Sequence, residues 1–419
     1  MPSRCAYRDR VVRPIRVVVA LAALVLLAGC GSSAADDRLA GLGGSAEGGG
    51  HGGAHADPAA TSATASPEDP APQESLGPGE QFLTVGVPDG PYTPRPRNGA
   101  PDDYRCFLVD PGLSDDAFIT GVQFLPGNPE IVHHAILYRV PPDQVAIAEE
   151  RDSSEEGRGW TCFGGADLPT GRVGLAALDS APWLAAWAPG GEERRFGRSL
   201  GVHVDAGSRI VLQVHYNLSR AGGDDATRVR LRLAPGDADL TPLETMLLPA
   251  PVELPCAEGE TGPLCDRTKA LLDLAHRFGQ DSWRTVGGLQ LLCDGDPSAP
   301  VPATTQSCDR RIGEPTTIHA AAGHMHLLGR SIRIDLNPGT AGARTLLDVP
   351  TYDFDDQGAR PLAVPVTAGP GDTVRVTCTH DAGLRGMLPA LKGDEPRYVV
   401  CGEGTTDEMC LGILVVTRP

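Results

Sequence analysis

The sequence predicts an all-β protein built from two tandem antiparallel β domains of similar size. Three observations carry that expectation. Glycine and proline are abundant (52 and 38 of 419 residues) while aromatics make up 5%, a turn-rich composition that disfavours long helices. Short runs alternate apolar and polar residues between Gly, Pro and Asp breaks, as half-buried strands do. The length accommodates two such domains with residues to spare.

Along the chain, residues 1–29 read as a leader. Arg4, Arg8, Arg10, Arg13 and Arg16 precede the apolar run "VVVALAALVLLA", which is short for a membrane span and suited to a signal peptide. "LAGC" ending at Cys30 resembles a bacterial lipobox, which implies an exported lipoprotein tethered through a lipidated Cys30 on the periplasmic side or at the cell surface. An ordinary secretory signal or a membrane anchor is the alternative. Residues 30–78, rich in Gly, Ala, Ser and Pro, read as a disordered tether, and His51 and His55 within it as solvated linker residues.

Residues 79–235 form the first predicted β domain, through "DAFITGVQFLP", "EIVHHAILYRV", "RIVLQVHYNLS" and "TRVRLRLAP". Residues 236–419 form the second, through "TIHAAAGHMHLLGRSIRIDL", "RTLLDVP", "DTVRVTCTH" and "CLGILVVT". An insertion of about 251–315 interrupts the second. "DRTKALLDLAHRFGQ" has helical spacing, with Leu271, Leu272, Leu274 and Ala275 on one side, and Cys256, Cys265, Cys293 and Cys308 surround it. Export makes disulfides the default for the nine cysteines beyond Cys30, and the odd number leaves at least one thiol over. The formal charge of −18 excludes a nucleic-acid partner, which would require a basic surface.

The chemistry lies in the histidines. His324 and His326 in "GHMHLLG" would share a face if the segment is a strand, so both could hold one metal ion while Met325 points into a core. His133 and His134 are adjacent and would face opposite ways. Both bind one ion only if the strand twists, bulges or ends there; otherwise one binds and the other packs. His215 lies in "LQVHYNL". Met409, in "DEMC", offers a thioether; two imidazoles with a thioether form a copper set, though core filling is the simpler role for a methionine. His203, His276, His319 and His380 read as structural or solvent-facing, and Tyr138 and Tyr216 as packing beside the histidines.

In order, "DDYRCFLV", "EIVHHAILYRV", "GRGWTCFGG", "LAAWAPGG", "LQVHYNLS", "GHMHLLGRSI", "DTVRVTC" and "GTTDEMC" resemble the landmarks of the copper type II, ascorbate-dependent monooxygenases, the family of peptidylglycine α-hydroxylating and dopamine β-monooxygenases. The resemblance spans about residues 100–419 outside the insertion. It implies two jelly-roll-like antiparallel sandwiches and two coppers per chain, facing each other across a cleft. His133, His134 and His215 match the three-histidine copper; His324, His326 and Met409 match the O2-activating copper. Gln213 matches a glutamine just before the third histidine and would lie behind the metal. Cys106–Cys162 and Cys378–Cys410 match two family disulfides, the first bracing the paired histidines and the second pinning Met409. The implied reaction hydroxylates a C–H bond of a small-molecule substrate with O2 and a reductant, ascorbate or another donor. Ala322, Leu411 and Ile413 stand where the peptide-hydroxylating members carry Arg, Asn and Tyr, which argues against a peptidylglycine substrate and for a less polar one. A copper-carrier lipoprotein without turnover is the alternative function.

Overall fold

Alternating side chains fix the layers. In Thr373–His380 and Cys410–Thr417 every second residue is buried, the signature of strands with one face on a core, whereas Ala117–Leu125 is buried throughout because it is covered on both faces. The computed structural model describes residues 75–98, 100–169, 182–189 and 191–419. The leader 1–29, Cys30, and most of the tether 30–78 with His51 and His55 lie outside the described residues.

The first sandwich contains β1 (Gln81–Gly86), β2 (Asp102–Val109), β3 (Ala117–Leu125), β4 (Val132–Val140), α1 (Val145–Asp152), β5 (Trp160–Thr161), β6 (Trp183–Trp187), β7 (Arg194–Arg195), β8 (Leu200–Val204), β9 (Arg209–Asn217), β10 (Arg228–Pro235) and β11 (Thr241–Pro242). One sheet runs β1-β10-β3-β8-β11, with β7 on β3; the facing sheet runs β5-β2-β9-β4-β6. Phe107, Ile119, Leu137, Leu212, Val229 and Leu231 fill the space between them. Apart from the short parallel β8–β11 pair, the ladders are antiparallel.

The second sandwich contains β12 (Glu244–Ala250), β13 (Glu253–Leu254), α2 (Arg267–Phe278), α3 (Gln280–Leu292), β14 (Thr305–Arg311), β15 (Thr316–His324), β16 (Gly329–Leu336), β17 (Arg344–Val349), β18 (Arg360–Ala368), β19 (Thr373–His380), β20 (Val399–Val400) and β21 (Cys410–Thr417). Its sheets run β12-β21-β15-β18 and β14-β19-β16-β17, and β13 pairs with β20. Leu248, Ile318, Ile332, Ile334, Val376 and Leu414 form its core, and the helices add Leu271, Leu274, Phe278 and Leu289 to it. The all-β expectation therefore holds.

Two element boundaries differ from the expected ones. β11 still pairs with β8, so the first sandwich runs past residue 235. β14 pairs along its whole length with β19, so the insertion ends before Thr305 rather than near 315. The insertion holds two helices. α2 starts at Asp266, whose side chain accepts from the Lys269 amide, and ends at Gly279 with φ +88°, a value glycine tolerates. Its buried face is Ala270, Leu271, Leu274, Ala275 and Phe278, so Leu272 faces solvent. α3 carries Gly287 and Gly288 in its interior, which masks its helical signal in the sequence.

Four disulfides join Cys106 to Cys162, Cys256 to Cys265, Cys293 to Cys308 and Cys378 to Cys410. Among the described cysteines, Cys401 is the free thiol, and it is buried. This many disulfides indicates an oxidising, extracytoplasmic location. No helix among the described residues is long and apolar enough to cross a membrane.

Candidate metal centre

A β-bulge resolves the paired-histidine problem. The β4–β9 register shifts between Val132 and His134, so that His134 lies opposite His215 and His133 is turned onto the same side. The Nδ1 atoms of His133 and His215 are 3.1 Å apart; those of His134 and His133, and of His215 and His134, are each 3.3 Å apart. Tetrahedral coordination with nitrogen–metal bonds of about 2.0–2.1 Å separates donor atoms by roughly 3.3–3.4 Å, so this triangle has the dimensions of a metal site. Three imidazole nitrogens cannot satisfy one another in a triangle through their protons alone, because a neutral ring offers one donor and one acceptor. The set can hold a metal ion.

Its surroundings favour neutral rings with lone pairs inward. His133 and His134 are held well below the usual imidazole range, first by burial and then by the neighbouring imidazoles. His215 is fully buried; Tyr104 stacks on it at 3.9 Å with planes 13° apart, and its Nε2 lies 2.9 Å from Asp102 Oδ1. A carboxylate only accepts, so the His215 proton sits on Nε2 and Nδ1 is left as the donor to a metal. Burial pushes the Asp102 carboxyl up, but hydrogen bonds from His215 and two from Thr405 hold it below the usual range.

The second set forms where β15 ends. His324 is the last residue of the strand; His326 lies just beyond it, in the turn before β16, rather than on a regular strand. Met325 is fully buried in the core, as expected, and Tyr352 Oη clamps its backbone, accepting from its amide at 2.9 Å and donating to its carbonyl at 2.7 Å. Gly329 closes this turn because a Cβ there would stand 2.9 Å from Met325 Cβ and 3.0 Å from the Tyr352 ring. His324 Nδ1 is 2.5 Å from Gln357 Oε1, which leaves its Nε2 free; His326 Nδ1 is 3.3 Å from the Asp407 carbonyl, and its buried Nε2 has no partner. Burial first, then His326, depress His324 to about 3, against the opposing Gln357 bond.

Met409 immediately precedes β21. His324 lies opposite Leu411, where the ladder ends, and beyond it His326 is bonded by Asp407 and Glu408, the two residues before Met409. Cys410 anchors the adjacent position through Cys378. Glu408, fully buried, accepts from the amides of His326 (3.1 Å), Leu328 (2.5 Å) and Met409 (3.3 Å), and its Oε2 lies 3.2 Å from His380 Nε2. His380 is thus structural, as expected, but its partner is the loop that carries Met409.

Both sandwiches belong to one compact unit, Pro67–Pro419, and the two sets meet directly. The His134 and His324 rings are 5.7 Å apart, and Phe354 of the second sandwich stacks on His133 at 4.4 Å with planes 16° apart. The two histidine groups are thus in ring contact, with no open cleft between His134 and His324.

Gln213, two residues before His215 on β9, bonds to the disulfide loop and to Tyr138. Its Nε2 donates to the Gly165 carbonyl at 3.0 Å and lies 3.4 Å from Cys162 Sγ, while its Oε1 accepts from Tyr138 Oη at 3.3 Å. It braces the disulfide loop and bonds to no histidine. Asp102, Tyr104, Phe354, Gln357 and Glu408 were not singled out in the sequence. A carboxylate two residues before Tyr104, itself opposite His215, was the one available signal for Asp102.

Gln357 fixes the orientation of His324, so Gln357→Ala should weaken metal binding at the His324–His326 pair about ten- to a hundredfold. Competition against a chelator of known affinity measures this; an unchanged affinity would show that the ring is oriented by packing alone.

No protein-family model matches the chain, and no curated protein matches it. Among solved structures, an allantoicase is 13% identical, covering 72% of this chain and 86% of its own, with a TM-score of 0.17. A point mutant of Bacillus subtilis oxalate decarboxylase is 9% identical, covering 80% and 77%, with a TM-score of 0.14. The coconut allergen cocosin is 9% identical, covering 80% and 85%, also at 0.14. At these scores they carry no argument about this chain.

Proposed function

We propose that the protein is a copper-dependent monooxygenase that hydroxylates a C–H bond of an apolar small molecule with O2 and an external reductant. The observation that supports this reading is the pairing of two unlike sets: three imidazole Nδ1 atoms at 3.1–3.3 Å, in ring contact with a second histidine pair whose His326 is bonded by Asp407 and Glu408, next to Met409 in the chain. Bound there, copper would supply one-electron and O2 chemistry, and a thioether favours its reduced state.

The protein's own residues prepare the donors. Burial keeps His133, His134, His324 and His326 neutral, Asp102 and Gln357 direct the protons of His215 and His324 away from the metal positions, and Glu408 fixes the turn that carries His326. Ala322 pairs with Ile413 and His324 with Leu411, so an apolar strip lies on the face of β15 and β21 that bears His324. That strip offers no charge to a carboxylate and suits an apolar substrate. The leader and Cys30 support a lipid-anchored, exported protein. A copper carrier without turnover is the second reading, favoured by Phe354 covering His133.

The test loads the protein with copper and supplies ascorbate and O2. We expect two coppers per chain, and Met409→Ala should keep the three-histidine copper while O2 consumption falls at least about a hundredfold. Two coppers without O2 consumption for any reductant would favour the carrier; fewer than two would overturn the site assignment.

A further inference from the structure

Asp102 stands between the two donor sets. It opens β2, opposite Asn217 and two residues before Tyr104, which pairs with His215, and is almost wholly buried. Its Oδ1 takes His215 Nε2 at 2.9 Å, Asn217 Nδ2 at 3.0 Å and Thr405 Oγ1 at 2.7 Å; its Oδ2 takes the Thr405 amide at 3.2 Å. Asn217 Nδ2 also donates to Thr405 Oγ1 at 2.7 Å. Thr405 belongs to the second sandwich, four residues before Met409, on the loop whose Glu408 holds the amides of His326 and Leu328. Two residues earlier on this loop, the Glu403 carbonyl accepts from Tyr104 Oη at 2.6 Å, and Tyr104 is the ring stacked on His215. The same imidazole is therefore held at its edge and on its face by groups that also hold the loop carrying Met409.

We propose that Asp102 is a positioning residue that couples metal binding at His133, His134 and His215 to the placement of the Thr405–Met409 loop. This rests on the copper-binding part of the proposed function but not on turnover. The physical basis is a shared acceptor. A metal on His215 Nδ1 polarises the ring and strengthens its Nε2–H bond to Asp102, and a carboxylate fixed on that side presents a fixed Oδ1 and Oδ2 to Thr405. The coupling is reciprocal: ordering the loop through Thr405 orients Asp102 and with it His215, so each donor set favours filling of the other. A purely structural carboxylate would stabilise the contact between the sandwiches without passing metal occupancy from one to the other.

The experiment uses the full-length protein in a His324→Ala background, in which the Met409 set cannot fill, with copper(I) delivered anaerobically from a chelator of known affinity. Hydrogen exchange of residues 402–409 is followed with and without copper, and 15N-labelled histidine reports the His215 tautomer before loading. We expect the His215 proton on Nε2, and at least about fivefold slower exchange of the loop on loading. Asp102→Asn should weaken copper binding about tenfold or more and abolish the slowing. Thr405→Val, which removes the hydroxyl bond but leaves the Thr405 amide bond and the Asp102–His215 bond in place, should keep copper affinity within about twofold and reduce the slowing. A His215 proton on Nδ1, a wild-type affinity for Asp102→Asn, or full slowing in Thr405→Val would each overturn the inference. Failure of copper to bind the three-histidine set would overturn both this and the proposed function. Bound copper without O2 consumption would overturn the reaction alone and leave the coupling standing.

Discussion

Glu408→Ala should destabilise the protein by about 3–5 kcal/mol, measured as the shift in urea unfolding of the metal-free chain. The carboxylate has no exposed surface and serves four donors: the amides of His326, Leu328 and Met409 and the His380 ring. Burial alone would raise its pKa, but the His380 bond and charge, with His326 and the Leu328 amide, outweigh that and hold it below the usual range, so it is anionic at neutral pH. Removing it leaves three backbone amides without their acceptor and the His380 ring with only the Met409 carbonyl at 3.4 Å, a cost that no rearrangement of an alanine can offset. The same change should loosen the His326 turn and weaken metal binding there. A loss below about 1 kcal/mol would mean that water enters and replaces the carboxylate.

The metal-free protein should lose on the order of 3 kcal/mol of stability between pH 7 and pH 5.5. His133, His134, His324 and His326 are all depressed, by burial first, His324 to about 3. Below the unfolded imidazole pKa of about 6.5 the unfolded chain takes up protons that the folded chain refuses, so stability falls as pH falls, by up to about 1.4 kcal/mol per unit for each histidine kept neutral. Glu403 acts in the opposite sense. Burial and then Asp407 raise it to about 7, so the folded state binds its proton first and gains stability over the same window. Four histidines against one carboxyl leave a net loss on acidification. Urea midpoints at the two pH values decide the matter; a flat profile would mean that the histidine cluster opens and hydrates without unfolding.

The class of fold and most of the donor set were legible because they depend on local rules. Alternation marks β19 and β21 as strands whatever they pack against, and the expected burial of Met325 holds although the chain leaves the strand at His324. The second helix was not legible, because Gly287 and Gly288 erase its propensity and only packing of Val286 and Leu289 against the sandwich restores it. The paired histidines were undecidable from spacing. A bulge depends on the partner strand, and β9 lies far along the chain, with His215 82 residues from His133.

By itself the sequence determined what is periodic or chemically intrinsic: an all-β chain, a surplus of cysteines suited to disulfides, five imidazoles on strand-like segments and a thioether near a cysteine. The tertiary structure decided which nitrogens face one another and which protons are turned away. It converted adjacent histidines into one triangle, moved His326 off the strand, gave Gln213 to a disulfide loop and brought Asp102 to His215 and Thr405 together. The physical reason is range. Strand alternation is fixed by neighbouring residues, whereas a hydrogen bond such as Asp102–Thr405 joins residues 303 positions apart, and only the packing of one sandwich against the other creates it.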